Sequence, residues 1–464
     1  MPNDSMIIMD PIYGFISFSA IEKQLVNTRA FQRLRRVRQL ALADLVYPGA
    51  LHTRFDHSLG TMHLAGKVTE GLARRGESGA LDSVVVRIAA LLHDIGHGPY
   101  SHVSEQVLDR TVGGLKSKYK AANAHELLGI LILEMDPEIG AILPNPQRDE
   151  VVALLQEANT RALAKDIVSG PLDVDKIDYL FRDSYFTGVR YGLFDRDMLM
   201  ESFVSIDASG QGSLLGVTEQ AIPVVEQLAL GRYHMTATVY RHRIRRITDA
   251  MLVRALELAI EDGLPSVLNV FTVRDCPDFI STYLDCDDHS IPTMMKQDGA
   301  NSVSTEMMRR LNQRRLLKEV FSLEMDTNSV ADSVVLLNLQ NLTTRQHGAI
   351  ATEVAHLLSA EDHEVSPKMV IVDKHTLSNP TFKPPEASRP IEQDTIMVRM
   401  RDGSRRMLSE ASPIIREMRQ APHQQRLLIY APMDWIDDRD ARQRFLDDRQ
   451  TSIRQLVMEV ANGN

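Results

Sequence analysis

The chain has 464 residues and a formal net charge of −10 at pH 7, with 44% hydrophobic and 25% charged residues. This length allows two or three domains whose cores need no disulfide, and the acidic balance argues against general nucleic-acid binding, which requires a basic surface. The two cysteines, the lack of a basic-flanked apolar leader and the lack of an apolar run near the ~20 residues of a membrane span predict a cytoplasmic protein that does not enter the membrane.

Apolar spacing and Gly or Pro breaks predict the elements of the first two thirds of the chain. In chain order these are a hairpin over residues 6–19, an amphipathic helix over 31–45, a loop over 46–55, helices to about 190, two short strands within 197–219, a long helical stretch over 219–262 and short helices to 315. Residues 1–315 are therefore expected to form a helical core domain.

The pattern changes after residue 315. Strands are predicted over residues 318–325, 368–373, 395–401 and 426–431, helices over 344–358 and 409–419, a proline-rich surface loop over 379–390 and a final charged helix over 437–460. The order strand, helix, two strands, helix, strand is typical of a split βαβ unit. The prediction is a mostly α protein with a smaller C-terminal α+β domain over 316–464, of unknown role.

The stretch LLHDIGHGPYSH contains several side chains that could bind a metal ion. Seven of the 15 histidines lie within residues 52–125. His93 and Asp94 end an apolar run, and a buried Asp without a partner is costly, so a partner is expected. His97 follows His93 by four residues, which on a helix would place both imidazoles on one face. Imidazole and carboxylate together indicate a divalent metal such as Mn, Fe, Zn, Ni or Mg.

Two other stretches could complete this site. His57 lies in RFDHSLG, at the start of a helical pattern that should pack against the helix before His93. Downstream, PLDVDKIDYLFRD contains four Asp residues, although Asp is a poor helix former. A helix cap explains Asp173, but capping does not explain Asp175 and Asp178 together.

The set His57, His93, Asp94 and Asp175 resembles the metal-binding signature of the HD-domain phosphohydrolases. The stretches FQRLRRVRQL, YPGALHTRFDHSLG, LLHDIGHGPYSH and DVDKIDYLFRD, with the His-Glu pair at 125–126, are similar to the deoxynucleoside triphosphate triphosphohydrolase branch. The match covers about residues 10–248, so no sterile-alpha-motif domain is expected before it. The HD fold is a helical core.

The resemblance implies a role for each matching residue. The metal ligands would be His57, His93, Asp94 and Asp175. The catalytic and phosphate-facing residues would be His97, His102, His125 and Arg54, with Lys176 and Arg232 also on phosphate oxygens. The sugar would meet Gln39, Tyr179 and Asp183, while Leu40 and Tyr240 would crowd its 2′ carbon and favour deoxyribose. A divalent metal, with additional Mg on the phosphates, would be the cofactor.

Structural alternatives stay open for several of these side chains. Arg54 could form an ion pair with Asp56 or Asp94, and Lys176 and Tyr179 could lie on a helix surface. Glu105 and Glu126 could either orient histidines or lie on a helix surface.

The chain also departs from the family. Gln32 and Arg35 match part of a guanine-nucleotide regulatory site, but Asn27, Met6 and Met9 replace its other polar residues. Thr236 stands at a position that is often basic.

Three functions remain open at this point. The first is hydrolysis of a deoxynucleoside triphosphate to nucleoside and triphosphate. The second is hydrolysis of another phosphorylated nucleoside, namely a dinucleoside polyphosphate, a monophosphate or a cyclic nucleotide. The third is a non-catalytic nucleotide sensor. The resemblance also implies a homo-oligomer, dimer or tetramer, with a possible allosteric nucleotide. Two arginine-rich stretches, 241–246 and 309–315, are either solvated or salt-bridged helix faces or intersubunit anion sites.

Overall fold

The computed structural model describes residues 6–156, 162–207, 212–299, 301–326, 338–339, 341–377, 396–420 and 424–461. The proline-rich segment 379–390 lies outside these residues. Contacts divide the chain into two units, each assembled from three segments. Unit 1 comprises residues 1–241, 268–291 and 380–419, and unit 2 comprises residues 242–267, 292–379 and 420–464.

The helices in chain order are α1 Ala20–Val26, α2 Arg29–Arg33, α3 Arg54–Arg74, α4 Ser83–Leu92, α5 His102–Leu108, α6 Gly113–Tyr119, α7 Ala124–Met135, α8 Pro137–Ile142, α9 Asn145–Leu155, α10 Leu163–Ser169, α11 Val174–Thr187, α12 Arg196–Ser202, α13 Ile222–Met235, α14 Arg243–Glu261, α15 Pro265–Phe271, α16 Pro277–Leu284, α17 Ser290–Asp298, α18 Val303–Asn312, α19 Thr344–Leu358, α20 Leu408–Ala411, α21 Pro413–Gln420 and α22 Arg439–Ala461. A π-helical turn, Thr236–Tyr240, follows α13. The prediction of a mostly helical chain is confirmed.

The strands are β1 Ile7–Asp10, β2 Gly14–Ser17, β3 Phe203–Asp207, β4 Ser213–Thr218, β5 Lys318–Asp326, β6 Ile371–Leu377, β7 Met397–Arg399, β8 Arg405–Met407 and β9 Gln424–Ala431. They form the predicted antiparallel hairpin β1–β2, a four-stranded sheet in the order β3-β4-β7-β8 and a three-stranded sheet in the order β5-β9-β6.

The predicted split βαβ unit is wrong, because β7 does not pair with the other C-terminal strands β5, β6 and β9. Met397 lies opposite Gly216 in a parallel pairing of β7 with β4, in unit 1. The remaining strands, β5 and β6, both pair antiparallel with β9 in unit 2. The C-terminal part of the chain is therefore α+β, as expected, but it contributes to two sheets. The two expected domains, residues 1–315 and 316–464, stay a prediction. The contacts group the chain differently, in units of three segments each.

The predicted helix over residues 31–45 is also wrong. Helix α2 ends at Arg33, and the backbone becomes extended at Val37. Arg38 then forms a bridge with Thr53, which replaces the helical hydrogen bonds. Arg33 is fully buried and donates hydrogen bonds to the carbonyl oxygens of Ile95 and His97. An arginine of the predicted amphipathic helix thus supports the backbone of the histidine-rich loop.

Close packing in unit 1 fixes the elements that carry the histidines. Helix α3 packs against α4 and α11, and its residues are buried over most of its length. The turn after α4 approaches α7 so closely that a Cβ on Gly96 would lie 2.1 Å from the carbonyl oxygen of His125 and 2.2 Å from the nitrogen of Gly129. Glycine at position 96 therefore lets this turn reach α7.

Unit 2 has its own apolar core. Side chains of β5 and β9, such as Phe321 and Ile429, pack with Ile350 and Val354 of α19 and Ile453 of α22. This core supplies the buried surface that a separate unit needs. Within the described residues no helix is both long enough and apolar enough to cross a membrane.

Candidate metal centre and its histidine neighbours

Three elements bring the predicted metal ligands together. His57 lies in the second turn of α3, Asp175 in the first turn of α11, and His93 and Asp94 in the turn that follows α4. The predicted helix that carries both His93 and His97 on one face is wrong, because α4 ends at Leu92. The turn nevertheless keeps both imidazoles beside Asp94, at 3.3 Å from its Oδ1 atom.

The four side chains face one another at short range. Nε2 of His57 lies 3.0 Å from Oδ1 of Asp175 and 3.5 Å from Oδ2 of Asp94. Nε2 of His93 lies 3.3 Å from Oδ1 of Asp94 and 3.7 Å from Oδ1 of Asp175. Both Nε2 atoms are buried, and neither makes a hydrogen bond with the described residues. Two nitrogen and two carboxylate donors around one point fit a divalent ion.

The opposite ring nitrogens hold this orientation. Nδ1 of His57 lies 2.7 Å from Oδ2 of Asp178, and Nδ1 of His93 lies 2.8 Å from the carbonyl oxygen of Ala90. Because a carboxylate and a carbonyl oxygen can only accept, both Nδ1 atoms carry a proton, and Nε2 is the atom that exchanges its proton for a metal ion. His57, His93 and Asp94 thus form a group that could hold a metal ion.

The electrostatics of the group favour positive charge. Burial alone lowers the pKa of His57, but contacts with Asp175 and Asp178 and the charge of Asp94 outweigh it and raise that pKa to about 10. Burial alone raises the pKa of Asp94, but Arg54, His93 and His97 hold it well below its usual range. The carboxylates therefore stay ionised, and their field attracts a cation.

Three more imidazoles lie next to this group. The ring of His97 stacks on that of His125 at 3.9 Å between centroids, and His102 meets His97 edge-on at 4.6 Å. Glu105 joins two of them, with Oε1 2.6 Å from Nδ1 of His125 and Oε2 2.9 Å from Nδ1 of His102. Glu105 therefore orients histidines. Glu126 instead accepts the backbone N–H of Ala122, as part of the entry to α7.

Spacing alone would also allow these imidazoles to share a metal ion with Glu105. Two observations argue against it. The planes of His97 and His125 are 18° from parallel, so their in-plane lone pairs run side by side instead of converging. Both carboxylate oxygens of Glu105 are already occupied by Nδ1 of His102 and of His125. The arrangement is better suited to hydrogen bonding and proton transfer with an anion.

Arg54 connects the metal ligands with the loop of histidines. Its Nη1 atom lies 2.5 Å from Oδ2 of Asp94, and its Nε atom donates to Oγ of Ser101 at 3.0 Å. The alternative pairing with Asp94 is therefore present, while Asp56 accepts from Thr53. The buried Nη2 atom of Arg54 has no hydrogen-bond partner among the described residues, so one edge of the guanidinium is available to an anion.

The predicted sugar-binding residues lie along α11 and around it. Asp183 is buried and accepts from the hydroxyl of Tyr240 at 2.6 Å, while its other oxygen lies 2.8 Å from Nε2 of His52. Gln39 and Leu40 are buried, and the backbone N–H of Gln39 donates to the carbonyl oxygen of His52. The buried Oε1 atom of Gln39 has no hydrogen-bond partner within the described chain.

The other predicted phosphate contacts differ in their surroundings. Arg232 lies beside Tyr179. Burial alone would lower the pKa of Arg232, but the phenol of Tyr179 and the carboxylates of Asp173 and Asp175 raise it. The ring of Tyr179 meets that of Tyr240 at 6.2 Å. The structure does not bring the ammonium group of Lys176 into the cluster, because it contacts the carboxylate of Asp173 and the carbonyl oxygen of Gly170.

Sequence reasoning did not assign roles to Asp178, Arg182 or His52. The guanidinium of Arg182 lies against Asp178 at 2.9 and 3.0 Å and against Asp10 at 2.8 Å. The excess of Asp in DVDKIDYLFRD was the signal for Asp178. No local pattern connects Asp10 with Arg182, which are 172 positions apart in the chain.

Comparison with known proteins places this geometry in a family. The HD domain matches residues 54–183, and the HD associated region matches residues 205–450. An uncharacterised protein of Methanocaldococcus jannaschii is 35% identical over 257 residues, which cover 55% of this chain and 50% of that protein. A deoxynucleoside triphosphate triphosphohydrolase homologue of Dictyostelium discoideum is 33% identical over 268 residues, which cover 54% of this chain and 49% of that protein. The matched part thus amounts to about half the length of these relatives.

Solved structures agree on the fold. A hypothetical protein of Aquifex aeolicus and a phosphohydrolase of Bacteroides thetaiotaomicron each superpose with a TM-score of 0.67 at 24% identity, covering 95% and 92% of this chain and 99% of each neighbour. The family models overlap the candidate metal centre, since the HD domain match includes all four predicted ligands. The chain belongs to the HD-domain proteins that carry an HD-associated region, and proteins named as deoxynucleoside triphosphate triphosphohydrolases are among its relatives.

Proposed function

We propose that this protein hydrolyses deoxynucleoside triphosphates to deoxynucleoside and triphosphate with a divalent metal cofactor. The observation that carries the proposal is the convergence of His57, His93, Asp94 and Asp175 next to a second group of three imidazoles. Relatives named as deoxynucleoside triphosphate triphosphohydrolases, from Dictyostelium discoideum and Gallus gallus, support the substrate class.

The metal would be held by Nε2 of His57 and His93 and by the carboxylates of Asp94 and Asp175. A divalent ion in such a set is a Lewis acid that polarises a phosphoryl oxygen and lowers the pKa of water. The identity of the ion is open among Fe, Mn, Zn, Ni and Mg, and additional Mg would accompany the phosphates.

Arg54 and the histidines would act on the phosphates. The guanidinium of Arg54 already pairs with Asp94, and its free Nη2 atom would donate to a phosphate oxygen with the fork geometry that arginine provides. His97, His102 and His125 would lie along the same phosphates, and one of them would transfer the proton to the leaving oxygen. Glu105 holds Nδ1 of His125, which directs Nε2 of that ring outward.

The residues on α11 and the π-helical turn would select the sugar. Tyr240 is fixed by its hydrogen bond to Asp183, so its ring presents a defined wall. With Leu40, this ring would crowd the 2′ carbon, and a ribose hydroxyl would then require displacement of a buried side chain. Gln39, Tyr179 and Asp183 would contact the sugar edge, and Arg232 and Lys176 would hold phosphate oxygens, the latter after leaving Asp173.

The test is a panel of substrates with purified protein and each candidate metal. Deoxynucleoside triphosphates, ribonucleoside triphosphates, a dinucleoside polyphosphate, a deoxynucleoside monophosphate and a cyclic nucleotide are incubated separately, and the products are identified. Triphosphate as the product of a deoxynucleoside triphosphate supports the proposal. Release of phosphate or of a nucleotide from another substrate assigns a different HD activity. Tight nucleotide binding without turnover, unchanged in His125→Ala, indicates a sensor.

We also propose that the protein forms a homo-oligomer, as dimer or tetramer. The hairpin β1–β2 supports this, because Ile7, Met9 and Phe15 are 55%, 63% and 68% exposed on one of its faces. Contiguous exposed apolar side chains are typical of association surfaces. Light scattering with and without nucleotide tests both the oligomer and an allosteric nucleotide, and a monomer under every condition contradicts them.

A further inference from the structure

A buried chain of charged side chains runs from the hairpin to the candidate metal centre. Asp10, the last residue of β1, accepts from Nη1 of Arg182 at 2.8 Å. Nε and Nη2 of Arg182 donate to the two oxygens of Asp178, and Oδ2 of Asp178 accepts from Nδ1 of His57 at 2.7 Å. The exposed fractions of these side chains are 4% for Asp10 and 0% for the other three.

The network is closed to solvent and nearly complete in its hydrogen bonds. Every oxygen of both carboxylates has a partner, because Oδ1 of Asp10 accepts the backbone N–H groups of Ile12 and Tyr13 at 2.8 and 3.0 Å. Because water does not screen these buried charges, the contacts of Asp178 with Arg182 and His57 are stronger than they would be in solution.

Helix α3 is shaped to receive this network. Gly60 lies one turn after His57, and a Cβ at position 60 would lie 1.9 Å from Oδ1 of Asp178 and 2.5 Å from Nη2 of Arg182. No L-residue with a side chain fits without displacing the paired carboxylate and guanidinium. Glycine at this position therefore allows Asp178 to approach α3 closely enough to reach Nδ1 of His57.

We propose that Asp178 is a positioning residue for the metal ligand His57, and that Arg182 and Asp10 hold Asp178 in place from the hairpin. Asp178 keeps the proton on Nδ1 of His57 and fixes the plane of the ring, so that Nε2 faces Asp94 and Asp175. The fork of Arg182 prevents Asp178 from rotating. The hairpin thereby contributes to metal affinity through the contact of Asp10 with Arg182. This inference rests on the proposed function in requiring that the group binds a metal.

The test measures metal affinity in folded protein, apart from activity. Apoprotein prepared with a chelator is titrated with Zn²⁺ in competition with a chromophoric chelator, and circular dichroism records folding and thermal unfolding of each apoprotein. The variants are Asp178→Asn, Asp10→Asn and Gly60→Ala. Asn at position 10 keeps the oxygen that caps the hairpin turn but places an amide against Arg182. The matched control is Gly71→Ala on the same helix, where a Cβ would meet the guanidinium ends of Arg75 and Arg74, the nearest atom lying at 3.3 Å.

Loss of an outer carboxylate typically weakens metal affinity by about 10–100-fold, and we expect a loss of this size in Asp178→Asn. Gly60→Ala should also weaken Zn²⁺ binding, although it retains every ligand and every member of the network. Asp10→Asn should show a smaller loss, because Arg182 keeps both contacts with Asp178. Gly71→Ala should bind Zn²⁺ as the wild type does.

Other results would contradict the positioning role of Asp178 or the proposed function. A purely structural network would lower the unfolding temperature of the variants and leave the Zn²⁺ dissociation constant of the folded protein unchanged, and that result overturns the inference. If Asp178→Asn does not fold, the affinities of Gly60→Ala and Asp10→Asn decide in the same way. A wild-type protein that binds none of the candidate metals overturns the proposed function as well, whereas metal binding that is equal in all variants overturns the positioning role alone.

Discussion

Oε1 of Glu105 lies 2.6 Å from Nδ1 of His125 and also accepts the backbone N–H of the same residue at 3.0 Å. Two bonds from one oxygen fix both the position of the residue and the tautomer of its ring. Interactions with Glu105 raise the pKa of His125 in spite of burial. His125 is therefore disposed to carry a proton near neutral pH, as a general acid must.

Glu105→Gln is expected to lower kcat by about 100-fold, a typical contribution of general acid–base catalysis, with little change in metal content. The amide would present a donor to Nδ1 of His102 or His125, so one ring would lose its orientation. Steady-state kinetics with the best deoxynucleotide, and metal analysis of the same sample, check this. The control is Glu126→Gln, whose carboxylate accepts from Ala122 and Asn123 instead of from an imidazole. Equal kinetics for both variants would contradict the role of Glu105.

Asp175→Asn is expected to reduce bound metal by an order of magnitude or more, because an amide is a weaker ligand than a carboxylate for these ions. Dialysis of the wild type against a chelator should abolish hydrolysis, and adding back one candidate ion should restore it. Elemental analysis and activity assays measure both effects. A variant with unchanged metal content would remove Asp175 from the ligand set.

Tyr240→Ala is expected to reduce the preference for deoxynucleotides by about 10-fold, which is the lower range of what steric discrimination in a pocket achieves. The ring lost in this variant is held by Asp183 and lies beside Tyr179. Competition between a deoxynucleoside triphosphate and its ribose analogue gives the ratio of kcat/KM values. Tyr240→Phe keeps the ring but loses the hydrogen bond to Asp183, so its ratio should change less than that of Tyr240→Ala. A ratio that changes equally in both variants would count against a steric role of the ring.

Asp288 is expected to make the stability of the protein depend on pH. Burial raises the pKa of its carboxyl to about 6, although the backbone N–H groups of Tyr100 and Arg38 donate to it. Because the folded state holds this proton more tightly than the unfolded state, the stabilisation is complete below about pH 4 and is lost as the pH rises through 6. The linked free energy of unfolding is about 3 kcal/mol.

The comparison of Asp288→Asn with the wild type isolates that contribution. Relative to the variant, the wild type should gain stability on acidification from pH 7 to pH 5, because only the wild type takes up the proton at residue 288. Urea denaturation at each pH measures the difference in unfolding free energy. A difference that is constant over this range would contradict the shifted pKa.

The sequence indicates which side chains lie near one another in the candidate metal centre, but not which backbone elements bring them together. Their spacing predicts that His93 and His97 meet on one helix. However, α4 ends at Leu92, and the turn that follows it brings the two imidazoles together. That turn depends on contact of Gly96 with α7, which no local pattern contains. The resemblance predicts that Lys176 contacts phosphate. In the structure its ammonium group instead pairs with Asp173, three residues earlier in the chain.

Long-range pairing was the other limit of prediction. The hydrophobic pattern of residues 395–401 indicated a strand correctly, but strand patterns do not specify a partner. The pairing of β7 with β4 depends on tertiary packing between distant parts of the chain. The same is true of the hydrogen bond between Arg182 and Asp10. The hairpin β1–β2 and the helices α19 and α22 were predictable because turn residues, caps and apolar spacing are local properties.

The parallel pairing of β7 with β4 has a consequence for how the protein can be made. Thr218 and its partner Arg399 are separated by 181 positions, so the sheet of unit 1 stays incomplete on the ribosome until most of the polypeptide has been synthesised. A recombinant fragment cut after the last residue of the predicted core would keep every metal ligand and still lack two of that sheet's four strands. Its exposed β4 edge would invite aggregation.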